Sequence, residues 1–96
     1  MTKIAILGAG GKMGCRLTDN LSKSPDRYEL LLVEVSDVGK ERIVGRGIST
    51  TLESTALAQA DIVILAVPDR VLGAIARNVV PQARSGTIFV TLDPNS

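Results

Sequence analysis

The stretch GAGGKMG, residues 8–14, decides the fold of this chain, and it stands between two segments of different periodicity. The apolar run IAIL at residues 4–7 precedes it and is typical of a short buried strand. Met13, Leu17 and Leu21 follow at intervals of four residues, which places them on one face of a helix. A strand, a glycine turn and a helix in this order form a cradle for phosphate, because the free N–H groups of the first helical turn point at the ligand.

The glycines fit one spacing of the dinucleotide-binding fingerprint better than another. Gly8 and Gly10 begin the pattern G-x-G-x-x-G, but its third glycine position is occupied by Met13. The pattern G-x-x-G-x-x-G is met by Gly8, Gly11 and Gly14, which leaves Gly10 as a spare flexible position. In this interpretation Gly8 ends the strand, Gly11 admits the pyrophosphate, and Gly14 lets the helix pack close to the sheet. A plain glycine-rich turn is the alternative.

Composition and charge limit the class of protein. Ninety-six residues make one domain at most. Aliphatic residues dominate and only Tyr28 and Phe89 are aromatic, which suits a buried parallel sheet. The 11 basic and 10 acidic residues give no basic field for nucleic acid, and no apolar run approaches the ~20 residues of a membrane helix. The single cysteine, Cys15, excludes an internal disulfide and fits the cytoplasm. Without histidine there is no imidazole acid or base and no zinc site.

Strand-like and helix-like segments alternate along the rest of the chain. The patterns predict strands at residues 28–36, 48–51, 62–67 and 87–92 and helices at residues 52–60 and 70–80, while residues 38–46 fit a short helix or a loop. Repeated β–α units imply a parallel sheet with right-handed crossovers. We therefore predict an α/β fold, a Rossmann-type doubly wound parallel sheet of about five strands in the order 3-2-1-4-5. The glycine loop lies at the switch point of such a sheet, where ligands bind.

A second chemical signal is Glu34, which lies 20 residues after Gly14, near the end of the second predicted strand. The fold requires an acidic residue about 20 residues beyond the glycines to accept hydrogen bonds from the adenosine ribose. A carboxylate there favours NAD and repels the 2′-phosphate of NADP. Two alternatives stay open. The ribose contact could fall two residues later, at Ser36, which tolerates a phosphate, and Lys40 and Arg42 could form a site for the 2′-phosphate of NADP. A solvated charge at the strand end is the alternative for Glu34.

Two segments resemble a known family of oxidoreductases. ILGAGGKMG at residues 6–14 and ADIVILAVP at residues 60–68 resemble the NAD(P)-binding domain of the 6-phosphogluconate and β-hydroxyacid dehydrogenase superfamily. VEVS at residues 33–36 and TLDP at residues 91–94 are similar to segments of bacterial phosphogluconate-dehydrogenase-like oxidoreductases, a group that includes D-apionate oxidoisomerase. The resemblance covers essentially the whole chain. It implies that the backbone at Ala66, Val67 and Pro68 borders the cofactor.

The resemblance also sets expectations about activity. It implies an oxidoreductase that uses NAD, with NADP left open, and acts on a hydroxy-acid or sugar-acid substrate. In such enzymes a helical domain after the cofactor domain carries most substrate-binding and catalytic groups. We therefore expect residues 1–96 to be one NAD(P)-binding Rossmann domain, truncated before any substrate domain and inactive alone. A dihydrodipicolinate-reductase-like reductase and a non-catalytic dinucleotide-binding or sensing module are the two alternatives.

The predicted cofactor site combines the glycine loop, the end of the second strand and the end of the strand around residue 65. Its residues are Gly8, Gly10, Gly11, Lys12, Met13, Gly14, Glu34, Ala66, Val67 and Pro68. For Lys12, a phosphate contact and a solvated position both stay open. No metal site is expected and no catalytic residue is assigned. The expected partners are the dinucleotide and a small-molecule substrate, with neither nucleic acid nor membrane, and the apolar last strand predicts self-association into a homo-oligomer through its open edge.

Overall fold

The computed structural model describes residues 2–24, 26–67 and 69–91, which form a parallel sheet with helices packed on both faces. The strands are β1 (Thr2–Leu7), β2 (Tyr28–Val33), β3 (Ile62–Leu65) and β4 (Ile88–Thr91), and they lie side by side in the order β2-β1-β3-β4. The helices are α1 (Lys12–Leu21), α2 (Asp37–Gly45), α3 (Glu53–Gln59) and α4 (Asp69–Val79), and a 3-10 turn follows at Val80–Gln82.

The order of the strands reverses at β1, which pairs in parallel with β2 on one side and with β3 on the other. This reversal is the switch point of a doubly wound sheet, and the loop after β1 leaves the sheet there. The predicted α/β class with a Rossmann-like parallel sheet is confirmed. The predicted number of strands is wrong, because the described residues form four strands and not five.

Residues 48–51 are the predicted strand that does not form. The chain turns at Gly47, where φ is 74°, and then runs beside β2 without building a ladder. One backbone hydrogen bond, from Thr51 N to Leu32 O at 2.7 Å, joins this segment to the edge of the sheet. Only Ile48 packs towards the core, while Ser49 and Thr50 are exposed. One bond and one partly buried side chain hold the segment in place, but regular pairing needs repeated bonds along the strand.

The core lies in two layers because successive side chains of a strand point to opposite faces of the sheet. One layer joins β1, β2 and β3 to α1 and α2, and its buried members include Ile4, Ile6, Leu32, Ile43 and Ile64. The other layer joins the same strands to α3 and α4, and its buried members include Ala5, Leu7, Leu57, Val63 and Leu65. Near-continuous aliphatic strands are therefore explained by burial on both faces.

The remaining elements agree with the predicted segments apart from their ends. The second strand stops at Val33, so Glu34 lies in the loop that follows it. The undecided segment at residues 38–46 is helical, and Ser36 caps α2 by accepting a hydrogen bond from Gly39 N at 3.0 Å.

Strand β4 lies at the edge of the sheet with Ile88 exposed, and self-association through this edge stays a prediction. Within the described part of the chain, no helix has the length and apolar character needed to cross a membrane.

Candidate functional site

The glycine loop, residues 8–11, connects the central strand β1 to the first turn of α1. Gly8 has a φ of 80°, a left-handed conformation that glycine adopts without strain. The amides of Gly8 and Ala9 both donate to Val33 O, at 3.0 and 3.2 Å, and Gly11 N donates to Gly8 O at 3.0 Å. These bonds tie the loop to the last residue of β2, so the loop has a fixed shape at the carboxyl edge of the sheet.

Close packing explains two of the three glycines in the G-x-x-G-x-x-G pattern. A Cβ added to Gly8 would lie 2.4 Å from Ala66 O, beyond the end of β3. A Cβ added to Gly14 would lie 2.2 Å from Gly8 O and 2.7 Å from Ala9 Cα. Both obstacles are backbone atoms, which cannot move aside as a flexible side chain can. Gly8 therefore allows β1 and β3 to end side by side, and Gly14 allows α1 to start directly against the loop.

Close packing within the described part of the chain does not require a glycine at position 11. It is the N-cap of α1, with φ −76° and ψ 175°, a conformation open to any residue. A Cβ there would meet only Gly8 O, at the ordinary contact distance of 3.4 Å. The amides of Lys12, Met13 and Gly14 belong to the first helical turn, where no carbonyl inside the helix can accept from them. That turn holds no acidic residue, and the side chain of Lys12 is exposed, so this end of α1 attracts anions.

Gly10 is not the spare flexible position that the spacing predicts. It is buried, and a Cβ on it would lie 2.3 Å from Gly39 O and 2.4 Å from Gly39 Cα. Its amide donates to Glu34 Oε1 at 2.9 Å, and its carbonyl accepts from Arg42 Nη1 at 3.0 Å. Arg42 is exposed, as expected for a solvated face, and its Nη1 is bonded to the loop, while a contact with a 2′-phosphate stays a prediction. The sequence offers one signal for this contact with α2, which is the glycine at position 39 in the first turn of a helix.

Glu34 is held by hydrogen bonds and is not a freely solvated charge. Oε1 accepts from Gly10 N, and Oε2 accepts from Val35 N and Ser36 N at 3.0 Å and from Ser36 Oγ at 3.1 Å. Partial burial raises the pKa of this carboxyl, but the hydrogen bonds from the Ser36 and Gly10 amides and from the Ser36 hydroxyl outweigh it and lower the pKa overall. The carboxylate is thus ionised at neutral pH, and because Oε1 receives one bond it can accept another from a ligand hydroxyl.

An apolar cavity of about 220 Å³ lies beside this carboxylate at the carboxyl edge of the sheet. Its lining includes Val33, Glu34, Val35, Val67 and Ile75. Val35, directly after β2, is 84% exposed. A flat ring held against these side chains would cover Val35 and stand next to the hydrogen-bonding oxygens of Glu34.

The other predicted site residues lie at or near the same edge. Ala66 continues β3 through a hydrogen bond from its amide to Leu7 O at 2.9 Å, and Val67 lines the apolar cavity. Met13 packs partly against the core layer of α1, so its amide and not its side chain remains at the cradle. Pro68 lies outside the described residues. No group of three or more acidic or cysteine side chains suited to a metal occurs among the residues that the structure describes.

The fold and this edge of the sheet define a class: the chain is an NAD(P)-binding oxidoreductase domain with a Rossmann-like sheet. The chain belongs to the family described as NADP oxidoreductase, coenzyme F420-dependent, whose model matches residues 3–93. Family membership covers both the glycine loop and the strands on either side of it.

Curated relatives and a solved structure are also similar to the chain. It is 51% identical over 92 residues to a D-apionate oxidoisomerase of Cupriavidus necator and 45% identical over 91 residues to one of Blautia hydrogenotrophica. Each match covers 95% of this chain but only 33% and 32% of the relative. A Cupriavidus necator structure, a semialdehyde dehydrogenase NAD-binding protein in complex with calcium and NAD, matches with a TM-score of 0.90 and 50% identity, over 97% of this chain and 33% of that one. The chain therefore spans about a third of the length of these relatives.

Proposed function

We propose that this chain binds NAD, in preference to NADP, as the cofactor domain of an oxidoreductase that acts on a sugar acid related to D-apionate. The observation that carries the cofactor assignment is Gly11. Its conformation and its protein neighbours would accept a side chain, yet it stands at the N-terminus of α1, beside first-turn amides that point out of the helix. A pyrophosphate that approaches the backbone at Gly11 supplies the missing reason for a glycine.

The residues present fit a dinucleotide. The amides of Lys12 and Met13 can donate to its phosphates, and the exposed Lys12 ammonium adds a positive charge. Oε1 of Glu34 can accept from a ribose hydroxyl, and the apolar cavity beside Val35 and Val67 suits the adenine ring. The bound nicotinamide supplies the hydride chemistry, while these residues bind and orient the cofactor. All of these residue roles are proposals for this site.

The preference for NAD follows from charge at the ribose. Glu34 is ionised, and its position beside Gly10 is fixed, so a 2′-phosphate near it would meet a like charge. Nη1 of Arg42 donates to Gly10 O, so part of this guanidinium is engaged with the glycine loop. NADP use is a second candidate, because the exposed Lys40 lines a further cavity together with Glu34 and Val35.

The substrate class rests on relatives named D-apionate oxidoisomerase, which are 42 to 51% identical to this chain over 91 to 94 aligned residues. Because the chain covers about a third of their length, we propose that the substrate-binding and catalytic groups lie in a further part of a longer protein. Three further statements stay predictions from the sequence: membership of the 6-phosphogluconate and β-hydroxyacid dehydrogenase superfamily, a cytoplasmic location and a homo-oligomeric state.

Calorimetric titration with NAD⁺ and, separately, NADP⁺ tests the cofactor proposal. We expect NAD⁺ to bind more tightly, and we expect Glu34→Ala to weaken NAD⁺ binding more than NADP⁺ binding. Glu29→Ala is the matched control, because Glu29 is an exposed carboxylate at the start of β2, paired with Lys3 at the opposite end of the sheet from Glu34. Equal affinity for both dinucleotides in the wild type, or an unchanged ratio in Glu34→Ala, would remove Glu34 from the ribose role.

Activity of the longer protein separates the oxidoreductase from a non-catalytic sensing module. A protein that extends this chain to the length of its relatives should reduce NAD⁺ when D-apionate is added, as followed by the absorbance of NADH. Binding of NAD⁺ without turnover of D-apionate or of related sugar acids would favour the module.

A further inference from the structure

Gly39, the third residue of α2, touches the site from outside the glycine motif. A Cβ on Gly39 would lie 2.4 Å from Glu34 Cδ and 2.5 Å from Glu34 Cγ. On its other side Gly39 also meets the glycine loop, since a Cβ on Gly10 would lie 2.3 Å from Gly39 O. Neither glycine has a positive φ, so close contact and not backbone conformation accounts for the two missing side chains. The backbone of α2 therefore lies directly against the backbone of the glycine loop.

Hydrogen bonds around this contact link the same three segments. Gly39 N donates to Ser36 Oγ at 3.0 Å, and Ser36 Oγ donates to Glu34 Oε2 at 3.1 Å. The other oxygen of Glu34 accepts from Gly10 N, and Arg42, one turn further along α2, donates to Gly10 O. Both backbone polar groups of Gly10 are thus held by residues 34–42, and the Glu34 carboxylate occupies the space that a side chain at position 39 would take.

We propose that Gly39 is a positioning residue of the dinucleotide site, which lets the first turn of α2 close on Gly10 and seats the Glu34 carboxylate beside the loop. This inference rests on the proposed NAD-binding function. Gly39 itself makes no contact with the ligand. It acts on ribose recognition through Glu34 and on phosphate binding through the position of Gly10.

A pair of glycines in the same helix gives the test its control. Gly45, at the end of α2, has nothing within 4 Å of an added Cβ, so Gly45→Ala changes helix propensity without changing a contact. We expect Gly39→Ala to weaken NAD⁺ binding by about tenfold or more and to narrow the ratio of NAD⁺ to NADP⁺ affinity. Gly45→Ala should leave both affinities and their ratio as in the wild type. Wild-type affinities and an unchanged ratio in Gly39→Ala would overturn the proposal.

A double variant shows whether Gly39 acts through Glu34 or only through stability. Glu34→Ala removes the Cγ, Cδ and Oε1 atoms that an alanine at position 39 would meet. Adding Gly39→Ala to Glu34→Ala should therefore change the NAD⁺ to NADP⁺ ratio no further, as expected for two coupled sites. If Gly39→Ala alone unfolds, the double variant should fold again. If the double variant also unfolds, or if the effects on the ratio are additive, the contact with Glu34 is not the reason and the proposal fails.

Hydrogen exchange separates this inference from the proposed function. The Gly10 amide donates to Glu34 within the protein itself, so its exchange rate reports the position of the carboxylate without any added cofactor. We expect faster exchange at Gly10 in Gly39→Ala and unchanged exchange in Gly45→Ala. If the wild type binds neither NAD⁺ nor NADP⁺, the proposed function fails, and the exchange rate at Gly10 still decides the positioning role. Unchanged exchange at Gly10 in a folded Gly39→Ala would refute that role.

Discussion

Replacing Gly14 by alanine should separate α1 from the loop it rests on. The added Cβ would stand 2.2 Å from Gly8 O, with Ala9 Cα and Ala9 C at 2.7 and 2.8 Å. Since all three obstacles are backbone atoms, the start of α1 must retreat by about 1 Å before the contact becomes ordinary. Overpacking of this kind costs about 1–3 kcal/mol, and the better helix propensity of alanine returns about 1 kcal/mol.

Because rigid backbone leaves little room for relaxation, we take the upper end of this range and expect a net loss of about 2 kcal/mol, or roughly 8–16 °C in Tm for a domain of this size. Thermal unfolding followed by circular dichroism measures the shift. Gly73→Ala in α4 is the control, because the nearest atom to its added Cβ is the flexible Arg77 Nη2 at 3.9 Å, and it should melt at or above the wild-type Tm. A Gly14→Ala protein that melts as high as Gly73→Ala would refute the packing argument.

Three further changes test other parts of the molecule. Gly11→Val should abolish binding of both dinucleotides while lowering stability by only about 1 kcal/mol, the usual scale of an N-cap change, and normal affinity in calorimetry would contradict the glycine spacing. The Lys3 amide and the Arg84 guanidinium lower the pKa of the Asp61 carboxyl below its ordinary 3.8, so its contribution to stability is present above that value and is lost as pH falls through the folded pKa. Asp61→Asn should therefore lower Tm at neutral pH, and the difference from wild type should shrink below about pH 4; a difference independent of pH would count against the assignment. Thr18→Val should stabilise by about 1 kcal/mol in a thermal melt, because the buried Thr18 hydroxyl finds no hydrogen-bond partner among the described residues, and a lower Tm would show that the hydroxyl is satisfied after all.

The elements that depend on local pattern were predictable from the sequence. The run at residues 4–7 and the run at residues 62–65 are aliphatic because both faces of the sheet are covered, and both are strands. Gly8 and Gly14 stand where the fingerprint requires close packing, and the structure shows backbone within 2.4 Å of an added Cβ at each. The parallel sheet and the NAD(P)-binding oxidoreductase class follow from these local signals and are confirmed.

The errors concern contacts between segments that are far apart in the chain. Residues 48–51 have strand-like composition, but strand formation depends on the neighbouring edge, and β2 offers them one hydrogen bond. The spacing predicts a spare glycine at position 10, because the residue that excludes a side chain there is Gly39, 29 positions later. No local periodicity carries information about such a pair. The bond from Gly10 N to Glu34, 24 positions later, has the same long-range origin, while the ribose role of Glu34 stays a prediction.

The amides of residues 8–11 are all hydrogen-bonded within the protein itself, to Val33, Glu34 and Gly8. A loop whose donors are satisfied in this way keeps one shape before any ligand arrives, and the entropy of ordering it is lost during folding and not during association. For the phosphate site proposed at the start of α1, binding would then need no rearrangement of the loop backbone, and the helix amides would be available at first contact. The site is preorganised, and the association rate of its ligand should depend on diffusion and charge more than on a slow conformational change.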